Sequence, residues 1–190
     1  VERSLRVLDG AIAVFDGVNG VEPQSETVWR QGNKYKVPRI CFINKMDRAS
    51  KDPFELMEEL ENVLGIRSCP INWPIGTDGD FKGVYNRKMK SVELFKGESH
   101  GQKALSSTKS TLDSEALHSV LGEHYIKKLR DDIELLDIAG DEFNMQQVLE
   151  GRLTPVFFGS AITNFGVEPF LNEFIEMAPS GGASDNVASH

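Results

Sequence analysis

The sequence predicts a three-layer α/β protein built on a parallel sheet, with an α+β insertion in its second half. Three observations carry that prediction. Apolar runs of strand length alternate with amphipathic helical stretches over residues 1–76, the rhythm of strand–helix–strand units. A further apolar run, Thr154-Pro155-Val156-Phe157-Phe158, resumes the sheet near the end of the chain. Between them, over residues 77–151, the rhythm breaks into short strands, a polar stretch and helices.

Residues 1–9 read as the end of a helix, with Val1, Leu5 and Leu8 on one face and Gly10 to stop it. Ala11-Ile12-Ala13-Val14-Phe15 is apolar throughout, as a buried strand is. Asp16-Gly17-Val18-Asn19-Gly20 is a loop by composition. Pro23 opens a helix that runs to about residue 35. Arg39-Ile40-Cys41-Phe42-Ile43 is the next strand. The helix after it has Asp52 as N-cap, Pro53 at its first position and Glu55 three residues past the cap. Leu56, Met57, Leu60, Val63 and Leu64 form its apolar face, and Gly65 ends it. Residues 69–73 are expected to be one short strand, with Pro74-Ile75-Gly76 turning away from it.

In the insertion, residues 81–85 and 91–95 are expected as strands and residues 97–113 as a polar loop. Residues 115–136 are helical by spacing, although Gly122 argues against one unbroken helix. A short helix over 144–150 ends at Gly151. The last helix covers 166–177, with Val167, Phe170, Leu171, Phe174 and Ile175 on its apolar side. Residues 180–190 have the composition of a flexible tail. The expected division is thus a central part of the main domain (1–76), an inserted subdomain (77–151), the end of the main domain (152–179) and the tail (180–190).

A chain of 190 residues can bury a sizeable core. Its net charge of −8 argues against a broad basic face, so no direct nucleic-acid binding is expected of this segment. Cys41 and Cys69 lie in apolar runs and read as buried thiols rather than a disulfide or metal site. Nothing reads as a signal peptide and no apolar run reaches membrane-spanning length, so a cytoplasmic protein with no membrane partner is expected.

The chemistry concentrates at two strand ends. Asn44-Lys45-Met46-Asp47 follows the strand at 39–43, and ligands of open α/β sheets sit outside the carboxyl edge. An Asp there can accept two parallel hydrogen bonds, from N1–H and the 2-amino group of a guanine. Adenine lacks that donor pair, and a bidentate contact of this kind discriminates by about 1–3 kcal/mol. Asn44 can tie neighbouring loops together, and the aliphatic stem of Lys45 can cover the base. Alone, the four residues suit a solvated turn equally well. The second stretch decides: Gly159-Ser160-Ala161 ends the strand at 154–158 with small residues, whose backbone N–H groups are expected to be open to guanine O6.

These two stretches resemble the fourth and fifth guanine-nucleotide motifs of the translational GTPases, and the resemblance covers residues 1 to about 179. It implies a P-loop-GTPase-like (Rossmann-like) G domain. It also implies GTP or GDP as ligand, with Asn44, Lys45 and Asp47 reading the base and Ser160 and Ala161 at its carbonyl. Within the family, residues 1–51 look most like the elongation factor G branch. From Asp52 onward the chain looks like the bacterial release factor 3 branch. Cys69-Pro70-Ile71-Asn72-Trp73-Pro74-Ile75-Gly76, Phe81-Lys82-Gly83-Val84-Tyr85, and Thr154-Pro155-Val156-Phe157-Phe158-Gly159-Ser160-Ala161 with Asn164-Phe165-Gly166-Val167 carry that likeness, and the Leu129-Arg130-Asp131 helix agrees with it.

The resemblance also says what is missing. The sequence has no Gly-x-x-x-x-Gly-Lys-Ser/Thr loop, and no Asp-x-x-Gly precedes its first strand. In the family these phosphate and catalytic motifs come before the segment that Val1 to Gly10 resembles. The chain is therefore expected to be an N-terminally truncated G domain. It would be inactive alone, with Mg2+ bound in the parent and no ligand for it here. The parent would hydrolyse GTP on the ribosome and recycle class I release factors in termination. Two alternatives stay open: a translocation GTPase like elongation factor G, or a catalytically silent α/β module binding partners through its insertion. A dinucleotide-binding enzyme is disfavoured, because no Gly-x-Gly-x-x-Gly occurs. No catalytic residue is assigned. His100, His118, His124 and His190 all lie in the insertion or tail, away from the sheet edge.

Overall fold

The computed structural model describes residues 10–95 and 110–177. The expected helix over 1–9, most of the polar loop, the tail, and His100 and His190 lie outside the described residues.

Four parallel strands form the main sheet in the order β1-β2-β7-β3. They are β1 (Ala11–Asp16), β2 (Arg39–Asn44), β7 (Thr154–Phe158) and β3 (Ser68–Pro70). Alternation along β2 sends Cys41 and Ile43 to one face and Ile40 and Phe42 to the other, and all four are buried. That is why the run is apolar at every position. Helices α1 (Pro23–Lys34) and α2 (Pro53–Leu64) cover the Cys41 face through Trp29, Leu56, Met57, Leu60 and Leu64. Helices α5 (Met145–Leu149) and α6 (Val167–Met177) cover the other face through Val148 and Phe170. Asp52 caps α2 by accepting from Phe54 N at 2.9 Å, and Gly65 ends it at φ +63°. Both thiols are free and buried, Cys41 in one core layer and Cys69 in the other. Burial pushes each above the ordinary thiol range.

A second, antiparallel sheet holds β4 (Asn72–Ile75), β5 (Gly83–Asn86) and β6 (Ser91–Leu94) in that order. Helices α3 (Glu115–Leu121) and α4 (Glu123–Ala139) close its core through Leu117, Ile126, Leu129 and Leu136. No described helix is long and apolar enough to cross a membrane.

The structure refines the sequence reading at several places and bears out the break suspected at Gly122. The single strand expected at 69–73 is two strands, β3 and β4, in different sheets. The chain changes sheets at Ile71, whose N–H still bonds Val156 O at 2.9 Å. Pro74 and Ile75 belong to β4, and the turn waits until Gly76 at φ +74°. Pro70 and Pro74 are tolerated because β3 and β4 each sit at a sheet edge. The helical stretch from 115 breaks at Gly122 (φ +85°, ψ 156°), and α4 runs on to Ala139. In β1, Ile12 and Val14 are 39% and 59% exposed, because that strand is an edge of the described sheet. On α6, Leu171 and Ile175 face outward, and on α2 so does Val63.

Candidate functional site at the carboxyl edge

Parallel register brings three strand ends to one edge. Asp16, the last residue of β1, lies beside Asn44, the last of β2, and Ile43 lies beside Phe158, the last of β7. Backbone bonds knit the β2 and β7 ends: Gly159 N donates to Ile43 O at 3.0 Å, and Met46 N donates to Gly159 O at 3.1 Å. A side chain at 159 would collide, since an added Cβ would lie 2.5 Å from Phe165 O and 2.9 Å from the Phe42 ring. Met46 is fully buried and anchors the loop inward, while Lys45 and Asp47 on either side are half-buried.

Asn44 joins the two ends with one atom. Its Oδ1 accepts from Lys45 N and from Ala161 N, each at 2.8 Å. Lys45 sits at φ +67°, a conformation uncommon outside glycine, asparagine and aspartate. Such outliers cluster where a loop is held for binding. The Lys45 ammonium reaches across to Asp16 Oδ2 at 2.6 Å. Burial opposes the charge on Asp16, but Lys45 and the N–H groups of Val18 and Asn19 outweigh it and hold the carboxyl below its ordinary value. Three polar atoms around this edge are buried without a protein partner: Oδ1 of Asp47, Oγ of Ser50 on the same loop, and Oγ of Ser160. Unsatisfied buried groups are few in folded proteins and ask for an explanation. A bound polar ligand is one.

The β7 end is a closed turn. Ser160 and Phe165 exchange both backbone hydrogen bonds, at 3.0 and 2.9 Å, and Asn164 N donates to Ala161 O at 3.1 Å. This corrects the expectation that the amides of Gly159, Ser160 and Ala161 stand open. Each already has an acceptor: Ile43 O, Phe165 O and Asn44 Oδ1 respectively. Only the last is a side-chain atom, and Ala161 itself is exposed, so only the Ala161 amide can be handed to a ligand oxygen without opening the backbone. The five expected site residues therefore divide. Asn44 and Ala161 touch directly, Asp47 and Ser160 carry unpaired atoms, and Lys45 is tied to Asp16.

Sequence reasoning missed Asp16, which looked like one loop residue among five. The available signal was an acid closing a parallel strand next to the one that carries Asn44. The described histidines are elsewhere. His118 sits between Glu123 (Nδ1 2.8 Å) and Leu112 O (Nε2 2.8 Å), and His124 lies against Tyr125. Among the described residues no group of three or more His, Cys, Asp or Glu side chains could hold a metal ion.

Residues 1–180 match the family described as the elongation factor Tu GTP binding domain. Peptide chain release factor 3 of Symbiobacterium thermophilum is 45% identical over 178 residues, covering 94% of this chain and 34% of that protein. The same-named protein of Trichodesmium erythraeum is 41% identical over 180 residues, covering 95% and 33%. That of Streptococcus pyogenes serotype M2 is 44% identical over 177 residues, covering 93% and 33%. The chain thus spans about a third of the length of these relatives.

Proposed function

The chain belongs to the elongation factor Tu GTP-binding domain family, and from that premise we propose that it carries the guanine-reading part of a GTPase acting in peptide chain termination. The full-length protein would bind GTP and GDP, hydrolyse GTP on the ribosome and recycle class I release factors. The name shared by its relatives supports termination over translocation. Asp47 takes the N1–H and 2-amino donors of the base, and the stem of Lys45 covers its face. The Ala161 amide, beside Ser160, meets O6. Asn44 holds the two loops in register. Residues 77–151 form the inserted subdomain between the two parts of the G domain.

The observation that supports this reading best is the shared acceptor. One Asn44 oxygen binds both the loop that carries Asp47 and the amide of Ala161. Two chain segments that must meet one flat purine are thereby fixed to a common point.

The test is Asp47→Asn in the full-length protein. An amide offers one donor and one acceptor in place of two acceptors, which suits a 2-oxo purine. Preference is expected to move from guanine to xanthine nucleotides by roughly 5- to 150-fold, the equivalent of about 1–3 kcal/mol. Competition of GDP and XDP against a fluorescent nucleotide measures it. An unchanged preference for GDP would rule out the base-reading assignment.

A further inference from the structure

We infer that the second sheet sets the grip on guanine, with Asn72, Phe81 and Phe95 as positioning residues for the turn that carries Ser160 and Ala161. The inference rests on the base-reading assignment above and adds to it a part of the chain with no place in the nucleotide motifs.

Two separate contacts carry it. The first is made by Asn72, buried at the start of β4. Beyond Pro70 the edge strand β3 has ended, and the backbone of Phe158 has no strand beside it on that side. The Asn72 side chain takes the strand's place. Its Nδ2 donates to Phe158 O at 3.0 Å and its Oδ1 accepts from Phe158 N at 2.7 Å. A primary amide reproduces the donor–acceptor pair of a peptide group, so the ladder runs one step further to the residue just before Gly159. The Trp73 ring meets the Phe158 ring edge-on at 5.5 Å and steadies the same point.

The second contact is aromatic. Phe165, which closes the turn through both backbone bonds to Ser160, lies between Phe81 at 5.5 Å and Phe95 at 5.3 Å. Both rings are edge-on to it and 5.3 Å from each other. Phe81 precedes β5 and Phe95 follows β6, and a bond from Phe95 N to Lys82 O at 2.7 Å keeps them together. The two ends of the turn, Phe158 and Phe165, are therefore both held by the second sheet. The other strand end is tied to it as well, since Gly79 N donates to Arg48 O at 3.1 Å. If this sheet shifts, the Ala161 amide shifts against Asp47, and the base loses a simultaneous fit to both.

The test uses the full-length protein and two ligands, GDP and IDP. Hypoxanthine keeps O6 and N1–H but lacks the 2-amino group. Loosening the turn weakens the O6 contact, which both ligands share. Asn72→Ala and Phe81→Leu are each expected to raise the Kd of GDP and of IDP alike, by about tenfold, with the GDP:IDP ratio retained. The second variant serves if the first does not fold. Val148→Ala, in the opposite core layer, lowers the melting temperature without touching the turn and is expected to leave both Kd values unchanged. If Asn72→Ala and Phe81→Leu melt earlier but bind both ligands at 10 °C like the parent, their role is only structural and the inference falls. It falls too if Val148→Ala weakens binding to the same degree. Failure of the base-reading assignment itself is distinguishable, because it shows in Asp47→Asn whatever these variants do.

Discussion

The two strand ends that meet at the carboxyl edge are built on opposite principles. The β2 end works through side chains: Asn44 accepts two amides, Lys45 reaches Asp16, and Asp47 keeps an unpaired oxygen. The β7 end works through backbone, with Gly159, Ser160 and Ala161 small enough to let amides and carbonyls close on Ile43, Met46 and Phe165. A side-chain end can be altered one function at a time. A backbone end has no side chain to remove, and it tolerates change only where space remains.

The largest expected effect breaks the backbone end. In Gly159→Val the added branch meets Phe165 O and the Phe42 ring, neither of which is free to move. A loss of about 3 kcal/mol follows, read as a lower urea midpoint with unchanged slope. Next, Asn44→Ala leaves the amides of Ala161 and Lys45 without their acceptor. A loss of about 1–2 kcal/mol is expected in the same assay, because part of the site can admit water. A midpoint loss equal to that of Gly159→Val would erase the contrast between the two ends.

The smallest effect sharpens the side-chain end. The Asp16 carboxyl is held below its ordinary value of 3.8. A depressed folded pKa contributes stability that is fully present above the unfolded pKa and lost as pH falls through the folded one. Between pH 5 and pH 2 the parent should therefore lose more melting temperature than Asp16→Asn. Parallel acid curves for the two would show that the Lys45–Asp16 pair contributes nothing.

The contrast also explains what the sequence made legible. Asn44 and Asp47 stood out because their chemistry resides in the residue type. The start and end of α2 were readable from Asp52, Pro53 and Gly65, which act on their own neighbours. Asn72 was invisible, since its partner lies 86 residues away and no local pattern announces an amide that continues a ladder. The move of the chain from one sheet to the other at Ile71 was hidden for a related reason, because apolar residues on both sides of it suit either sheet. The closed amides at 159–161 were misread as open because composition reports room for a ligand, not what already fills it. Leu171 and Ile175 had helical spacing but not burial, as periodicity marks a face without saying that anything packs on it.

The placement of the two thiols has a practical consequence. With Cys41 beneath α1 and α2 and Cys69 under the opposite layer, an alkylating reagent can reach each only when its own layer breathes. The unmodified chain thus contains a pair of internal clocks. Their separate labelling times, resolved by mass spectrometry, distinguish an opening of one half of the core from a collapse of the whole.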